Sequence, residues 1–200
     1  MSLPYVLVLF YSRYGATEKM AQLIGRGIED IEGIEARLRT VAPVSPDTEA
    51  TAPAVPASGA VYCNEDDLRN CCGLVLGSPT RFGNMAAPLK YFIDGTGALW
   101  ASGALINKPV GTFTSSSSLH GGQESTLLTM AIPMLHHGMV YCGIPYSESG
   151  LNHTETGGTP YGASHLAGSE HSNEISAHES ELCIALGKRI ANLSLKLLAE

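Results

Sequence analysis

Near the start of the chain, Tyr5-Val6-Leu7-Val8-Leu9-Phe10-Tyr11 is apolar without a break. A β-rich run with no polar alternation predicts a strand covered on both faces. The period then changes. Met20, Leu23, Ile24, Ile28 and Ile31 fall at i, i+3, i+4, i+8 and i+11, the stripe of one helix face. Residues 34–41 alternate between apolar and charged or polar side chains, which predicts a strand with one wet face or a sheet edge. Asn64, followed by Glu65, Asp66 and Asp67, caps a short helix through residue 70. Leu74-Val75-Leu76, Pro109 to Ser115 and Met139 to Cys142 give three more strands. Helices are predicted over about 84–94 and 122–136. The stripe Leu182, Leu186, Ile190, Leu193 and Leu197 gives the last one.

Two stretches lack any period. Residues 42–60 are rich in Pro, Ala, Ser and Thr, and Pro43, Pro46, Pro53 and Pro56 prevent regular pairing, so a surface loop is expected. Residues 145–177 hold many Gly, Ser, His and Thr and few aliphatics. An excursion of that length inside a compact domain is usually functional.

Strands alternating with helices predict a parallel sheet with right-handed crossovers. The alternating second strand belongs at an edge, beside the buried first and third strands. The expected architecture is therefore one α/β domain over residues 1–200. Its five-stranded parallel sheet runs in the flavodoxin-like order 2-1-3-4-5, with helices on both faces. Ligands of such sheets sit beyond the carboxyl ends of the strands, next to the switch between strands 1 and 3.

Composition narrows the partners. A hydrophobic content of 44% with 16% charged residues is that of a globular chain. The net charge is −7 and the twelve Lys and Arg are scattered, which argues against nucleic acid or an anionic membrane surface. No apolar run reaches the ~20 residues of a membrane helix, so no membrane insertion is expected. The five cysteines follow no metal or redox spacing and read as reduced thiols, which implies a cytoplasmic protein.

The three predicted strand ends carry candidate chemistry. After strand 1, Ser12-Arg13-Tyr14-Gly15-Ala16-Thr17 leads straight into a helix. Two hydroxyls, a glycine and a helix N-terminus suit a phosphate dianion. Neither a P-loop lysine nor G-x-G-x-x-G is present, which disfavours triphosphate hydrolysis and Rossmann-type dinucleotide binding. After strand 3, Pro79-Thr80-Arg81-Phe82-Gly83 places an Arg-Phe pair in a Gly/Pro frame that can line a flat aromatic ligand. After strand 4, Ser115-Ser116-Ser117-Ser118-Leu119-His120 offers dense N–H and O–H donors for the polar edge of such a ring. His136-His137-Gly138 reads as a helix C-terminus with Gly138 at C′. His153, His165, His171 and His178 match no metal spacing and are expected to be solvated or packed in loops. Trp100, the single tryptophan, is expected in the core, at an interface or in a pocket wall.

These segments occur in one order: S-x-Y-G from Ser12, G-S-P-T-R-F-G-N-M from Gly77, G-A-L-W-A-S-G-A-L from Gly97, G-G-Q-E from Gly121, H-H-G-M-V from His136 and G-G-T-P-Y-G-A-S from Gly157. The chain closely resembles the WrbA family of FMN-dependent NAD(P)H:quinone oxidoreductases, from about Val6 to Leu197. The resemblance implies a flavodoxin-like homotetramer whose late insertion sets it apart from flavodoxin electron carriers. It implies that Ser12 to Thr17 bind the FMN phosphate, and that Pro79 to Gly83 and Ser115 to His120 contact the ribityl chain and isoalloxazine. His136 would be the flavin-site histidine, a candidate hydrogen-bond or proton donor to the quinone. Tyr14 and Trp100 would line the nicotinamide and quinone pocket, with Trp100 reaching a neighbouring subunit's site. NADH or NADPH would reduce the flavin and a quinone would then reoxidise it on the same face. Where close relatives are glycine-rich after strand 4, this chain has Ser117, Ser118, Leu119 and His120. That departure brings Gly-specific backbone angles into question and points His120 at the pocket. The rival reading is a flavodoxin-type electron carrier. The family's older name, tryptophan-repressor-binding protein, suggests a regulatory partner, but the acidic charge shows no sign of DNA contact.

Overall fold

The computed structural model describes residues 3–45, 53 and 55–199. Pro46 and the rest of 46–52, with residue 54, belong to the expected Pro-rich loop and lie outside the described residues.

Strands β1 (Tyr5–Phe10), β2 (Glu35–Thr40), β3 (Gly73–Pro79), β4 (Pro109–Ser116) and β5 (Val140–Tyr141) form a parallel sheet in the order β2-β1-β3-β4-β5. The register sets Val8 between Leu38 and Val75. Every residue of β1 is buried, as its unbroken apolar run predicts, and β2 is half-buried at the edge, as its alternation predicts. Successive β1 side chains enter two different cores. Val6, Val8 and Phe10 meet α1 (Ala16–Glu29) and α7 (Ala177–Leu198). Leu7 and Leu9 meet the face built from α2 (Glu65–Asn70), α3 (Ala87–Asp94), α4 (Gly97–Ala101) and α5 (Gln123–His136).

Local chemistry accounts for the helix boundaries. Asn64 caps α2 through a capping box with Asp67. α3 begins three residues later than the pattern predicts, because Ala86 is extended and Pro88 sits in the first turn. α5 ends in a Schellman motif: Met139 N–H donates to Met134 O at 3.1 Å and Gly138 N–H to Leu135 O at 2.9 Å. Gly138 at C′ has φ +78°, as expected. α1 and α7 cross in backbone contact, since a Cβ on Gly27 would overlap Ile184 O and one on Gly187 would overlap Ile24 O.

The excursion departs from its expectation. It contains α6 (Gly150–His153) and a sixth strand, β6 (Ala163–Leu166). β5 pairs only with Pro109 and Val110 at the start of β4, while β6 pairs with Phe113 to Ser116 at its end. The fifth position of the sheet is thus filled by two pieces. β6 is short and its Ser164 and His165 are buried, so it shows no apolar run. Its polar groups are satisfied instead by a buried network. Ser164 Oγ donates to Gln123 Oε1 at 2.6 Å, and His165 Nδ1 donates to Glu179 Oε2 at 3.0 Å. His165 is therefore packed and hydrogen-bonded to Glu179 within a strand, not solvated.

Candidate functional site

The first loop turns on one hydroxyl. Ser12 Oγ accepts from Gly15 N–H at 3.2 Å and from Glu18 N–H at 3.3 Å, which folds residues 12–18 around the start of α1. Gly15 takes φ +89°, where a Cβ would find open space, so glycine is needed for its angle rather than for room. The first N–H groups of a helix have no intrahelical partner. Those of Gly15 and Glu18 turn to Ser12, while Ala16 and Thr17 face a small cavity of about 60 Å³.

Two other loops close that cavity. Thr80 N–H donates to Ser115 O at 2.9 Å, and the Thr80 and Thr126 hydroxyls lie 2.6 Å apart, which fixes the end of β3 against β4 and α5. A tight turn follows, with Arg81 N–H to Asn84 O at 2.7 Å and Asn84 N–H to Arg81 O at 3.0 Å. Phe82 at its tip has φ +52° and a fully exposed ring. A bulky residue held there is strained, and an exposed aromatic held by strain is a candidate contact for a flat ligand. In the third loop Ser116 Oγ donates to Ser118 O at 2.8 Å, and Gly122 approaches so closely that a Cβ on it would lie 2.9 Å from Gly83 Cα.

The cavity is lined by Ser12, Arg13, Tyr14, Ala16, Thr17, Pro79, Thr80, Arg81, Ser115, Ser116 and Ser117, so the three strand ends converge as the sequence implies. Gly15, Phe82 and Gly83 flank it as loop geometry. The substituted loop after β4 turns out differently from expectation. Ser117, Ser118, Leu119 and His120 all keep negative φ, so no glycine angle is required of them. Ser118, Leu119 and His120 do not line the cavity, and His120 points into solvent instead of intruding.

Two lining residues, Ala167 and His171, were not legible in the sequence. Ala167 N–H donates to Ser116 O at 2.8 Å, which brings the segment after β6 over the Ser12–Thr17 loop. His171, at φ +54°, stacks on Tyr14 with ring centroids 4.4 Å apart. The Arg13 guanidinium lies 5.6 Å from the same Tyr14 ring. The anchor of this late segment is Glu179. Its carboxylate accepts from His165 Nδ1 and from the N–H groups of Ser176, Leu166 and Gly157. Burial alone would raise its pKa, but the hydrogen bonds and the facing imidazole outweigh burial and bring it down to about 2.

His136 and Trp100 do not join this cleft within one chain. Trp100 Nε1 donates to His136 O at 2.9 Å, so the two sit together, at the foot of α5. The turn after His136 meets the start of β4, with Asn107 N–H to Gly138 O at 2.9 Å and Val140 N–H to Lys108 O at 3.0 Å. The Ser12–Thr17 loop and the two other loops lie at the strands' opposite ends, roughly 25 Å away by the rise of an eight-residue strand. Both side chains are exposed. Next to His136, His137 is buried and donates from Nε2 to Thr96 Oγ1 at 3.0 Å, while burial and the neighbouring His136 lower its pKa.

The residues present fit FMN: an uncommitted helix N-terminus and hydroxyls for a phosphate, an Arg-Phe turn for a flat ring, and a hydroxyl-rich loop opposite it. Comparison with known proteins agrees. Residues 6–150 match the family described as NADPH-dependent FMN reductase. The chain is 41% identical to an NAD(P)H dehydrogenase (quinone) of Syntrophobacter fumaroxidans, covering 96% of this chain and 98% of that one. Its fold is similar to a WrbA-like flavodoxin from Agrobacterium tumefaciens, with TM-score 0.67 and 24% identity over 96% of this chain and 98% of that one. It is also similar to a flavodoxin from the domain Archaea, with TM-score 0.62 and 20% identity over 96% and 99%.

Proposed function

Because the chain belongs to the NADPH-dependent FMN reductase family, among the WrbA-type NAD(P)H:quinone oxidoreductases, we propose that it binds FMN and transfers two electrons from NADH or NADPH to quinones. The observation that carries this reading is the convergence of the three strand-end loops on one cleft at the N-terminus of α1. FMN held there would supply the redox chemistry, hydride acceptance from a nicotinamide and two-electron donation to a quinone.

The chain's own residues bind and orient. Ser12, Ala16 and Thr17 hold the phosphate. Thr80 and Ser115 to Ser117 meet the ribityl chain and the polar ring edge, and Arg81 and Phe82 bound the ring face. Tyr14 walls the space in which the two substrates take turns. The exposed positions of Trp100 and His136 support a homotetramer in which a neighbouring copy brings these two side chains to the flavin. Leu128, Ile132 and Leu135, spaced i, i+4 and i+7 on one face of α5, are also exposed, as are Ile106 and Val140. A surface of that kind marks an interaction site. In the assembled site His136 donates a hydrogen bond or proton to the quinone. Among the described residues no helix is long and apolar enough to cross a membrane. All five cysteines are free thiols, which supports a cytoplasmic setting.

Reconstitution with FMN followed by a visible absorption spectrum tests the cofactor. One FMN per chain is expected, and a protein that stays colourless after reconstitution overturns the reading.

A further inference from the structure

A second cavity adjoins the flavin cleft on the other side of the phosphate loop. It measures about 340 Å³ and lies where the carboxyl ends of β1 and β2 meet residues 56–62. Tyr11 and Tyr62, both half-buried, give it aromatic walls, and Pro43 and Pro56 add flat apolar surface. Tyr62 is held in place by parallel pairing with Thr40: Thr40 N–H donates to Val61 O at 3.1 Å and Cys63 N–H to Thr40 O at 2.8 Å. Ser12 and Arg13 line both cavities, so a cationic side chain stands at their junction. Glu18, half-buried in the first turn of α1, reaches across the new cavity, where a Cβ on Gly59 would lie 3.0 Å from Glu18 Oε1.

With FMN in the first cleft, a dinucleotide whose nicotinamide lies over the flavin passes Arg13 and places its other nucleoside in the second cavity. We propose that this second cavity receives the adenosine end of the nicotinamide dinucleotide and selects NADH over NADPH. Adenine lies against Tyr62 and the prolines, the pyrophosphate passes Arg13, and the Glu18 carboxylate accepts from the ribose hydroxyls. A carboxylate in that place takes a hydrogen bond from a 2′-hydroxyl and repels a 2′-phosphate. The nearby Lys19 does not offset it, being drawn to Glu174 at 3.2 Å. The preference for NADH runs against the description of the wider family as NADPH-dependent. The identity of the dinucleotide rests on the oxidoreductase reading, whereas the adenosine site can be tested without turnover.

The test uses the FMN-loaded protein and two variants. 5′-AMP binds the parent protein by titration calorimetry and binds Tyr62→Ala at least about tenfold more weakly, the size of one base–aromatic stack. In turnover, Tyr62→Ala raises the KM for NADH by a similar factor and leaves FMN content and the KM for quinone unchanged. Glu18→Gln shifts the ratio of kcat/KM for NADH to that for NADPH about tenfold toward NADPH, the loss of one charged hydrogen bond. Failure of 5′-AMP to bind, or equal binding to parent and Tyr62→Ala, overturns the site. An unchanged NADH-to-NADPH ratio in Glu18→Gln overturns the selection. A protein that binds 5′-AMP as described yet oxidises no NADH contradicts the oxidoreductase reading and leaves the adenosine site standing.

Discussion

Ser12 accepts two backbone N–H groups, which leaves its own O–H to donate into the cleft. Ser12→Ala therefore loses that donor and unties the loop, and FMN should bind about tenfold to a hundredfold more weakly, measured by fluorescence titration. Glu179 makes a second residue-scale prediction. Its pKa falls from an ordinary 4.5 to about 2 on folding. A depressed carboxylate stabilises the fold above the unfolded pKa, and that stability is lost as pH falls from about 4.5 toward 2. The contribution is about 3 kcal/mol. Denaturant melts between pH 7 and 3 should show this slope, and Glu179→Gln should abolish it along with most of that stability. At this scale the sequence was readable only where a loop has its own signature. Ser12 to Thr17 announce a phosphate loop. Ala167 and His171 carry no such mark, because their place over the loop comes from a distant carboxylate and a backbone hydrogen bond to Ser116.

At the scale of elements, periodicity was informative where burial is apolar. The unbroken β1 and the alternating β2 predict their places in the sheet, and the stripes of α1 and α7 predict two amphipathic helices, which the structure packs on one face. β6 was missed because its buried side chains, Ser164 and His165, are polar and are satisfied by Gln123 and Glu179 rather than by apolar neighbours. The α1–α7 crossing was invisible for a different reason: it depends on two missing side chains. Gly187→Ala places a methyl against Ile24 O, and the forced separation should cost about 3 kcal/mol, seen as a fall of several degrees in Tm. An unchanged Tm would mean that the helices do not touch at this point.

Over the whole molecule, the strands separate two groups of residues that the motifs suggest should meet. The Ser12–Thr17 loop and its two partners stand at one end of the sheet, and Trp100 and His136 stand at the other. On the proposed reading a second copy closes that gap. Ile132→Lys together with Leu135→Glu should therefore dissociate the assembly in analytical ultracentrifugation, keep the melting curve and FMN binding, and lower quinone turnover. Mixing Ser12→Ala with His136→Ala protein should restore part of the activity that each lacks, since each supplies the group the other has lost.

The central claim is that FMN held in this cleft carries electrons from NAD(P)H to quinones, and steady-state turnover tests it most directly. FMN-loaded protein should oxidise NADH with benzoquinone as acceptor at a rate proportional to its FMN content. Full FMN occupancy with no NADH oxidation would contradict the account and identify an electron carrier instead.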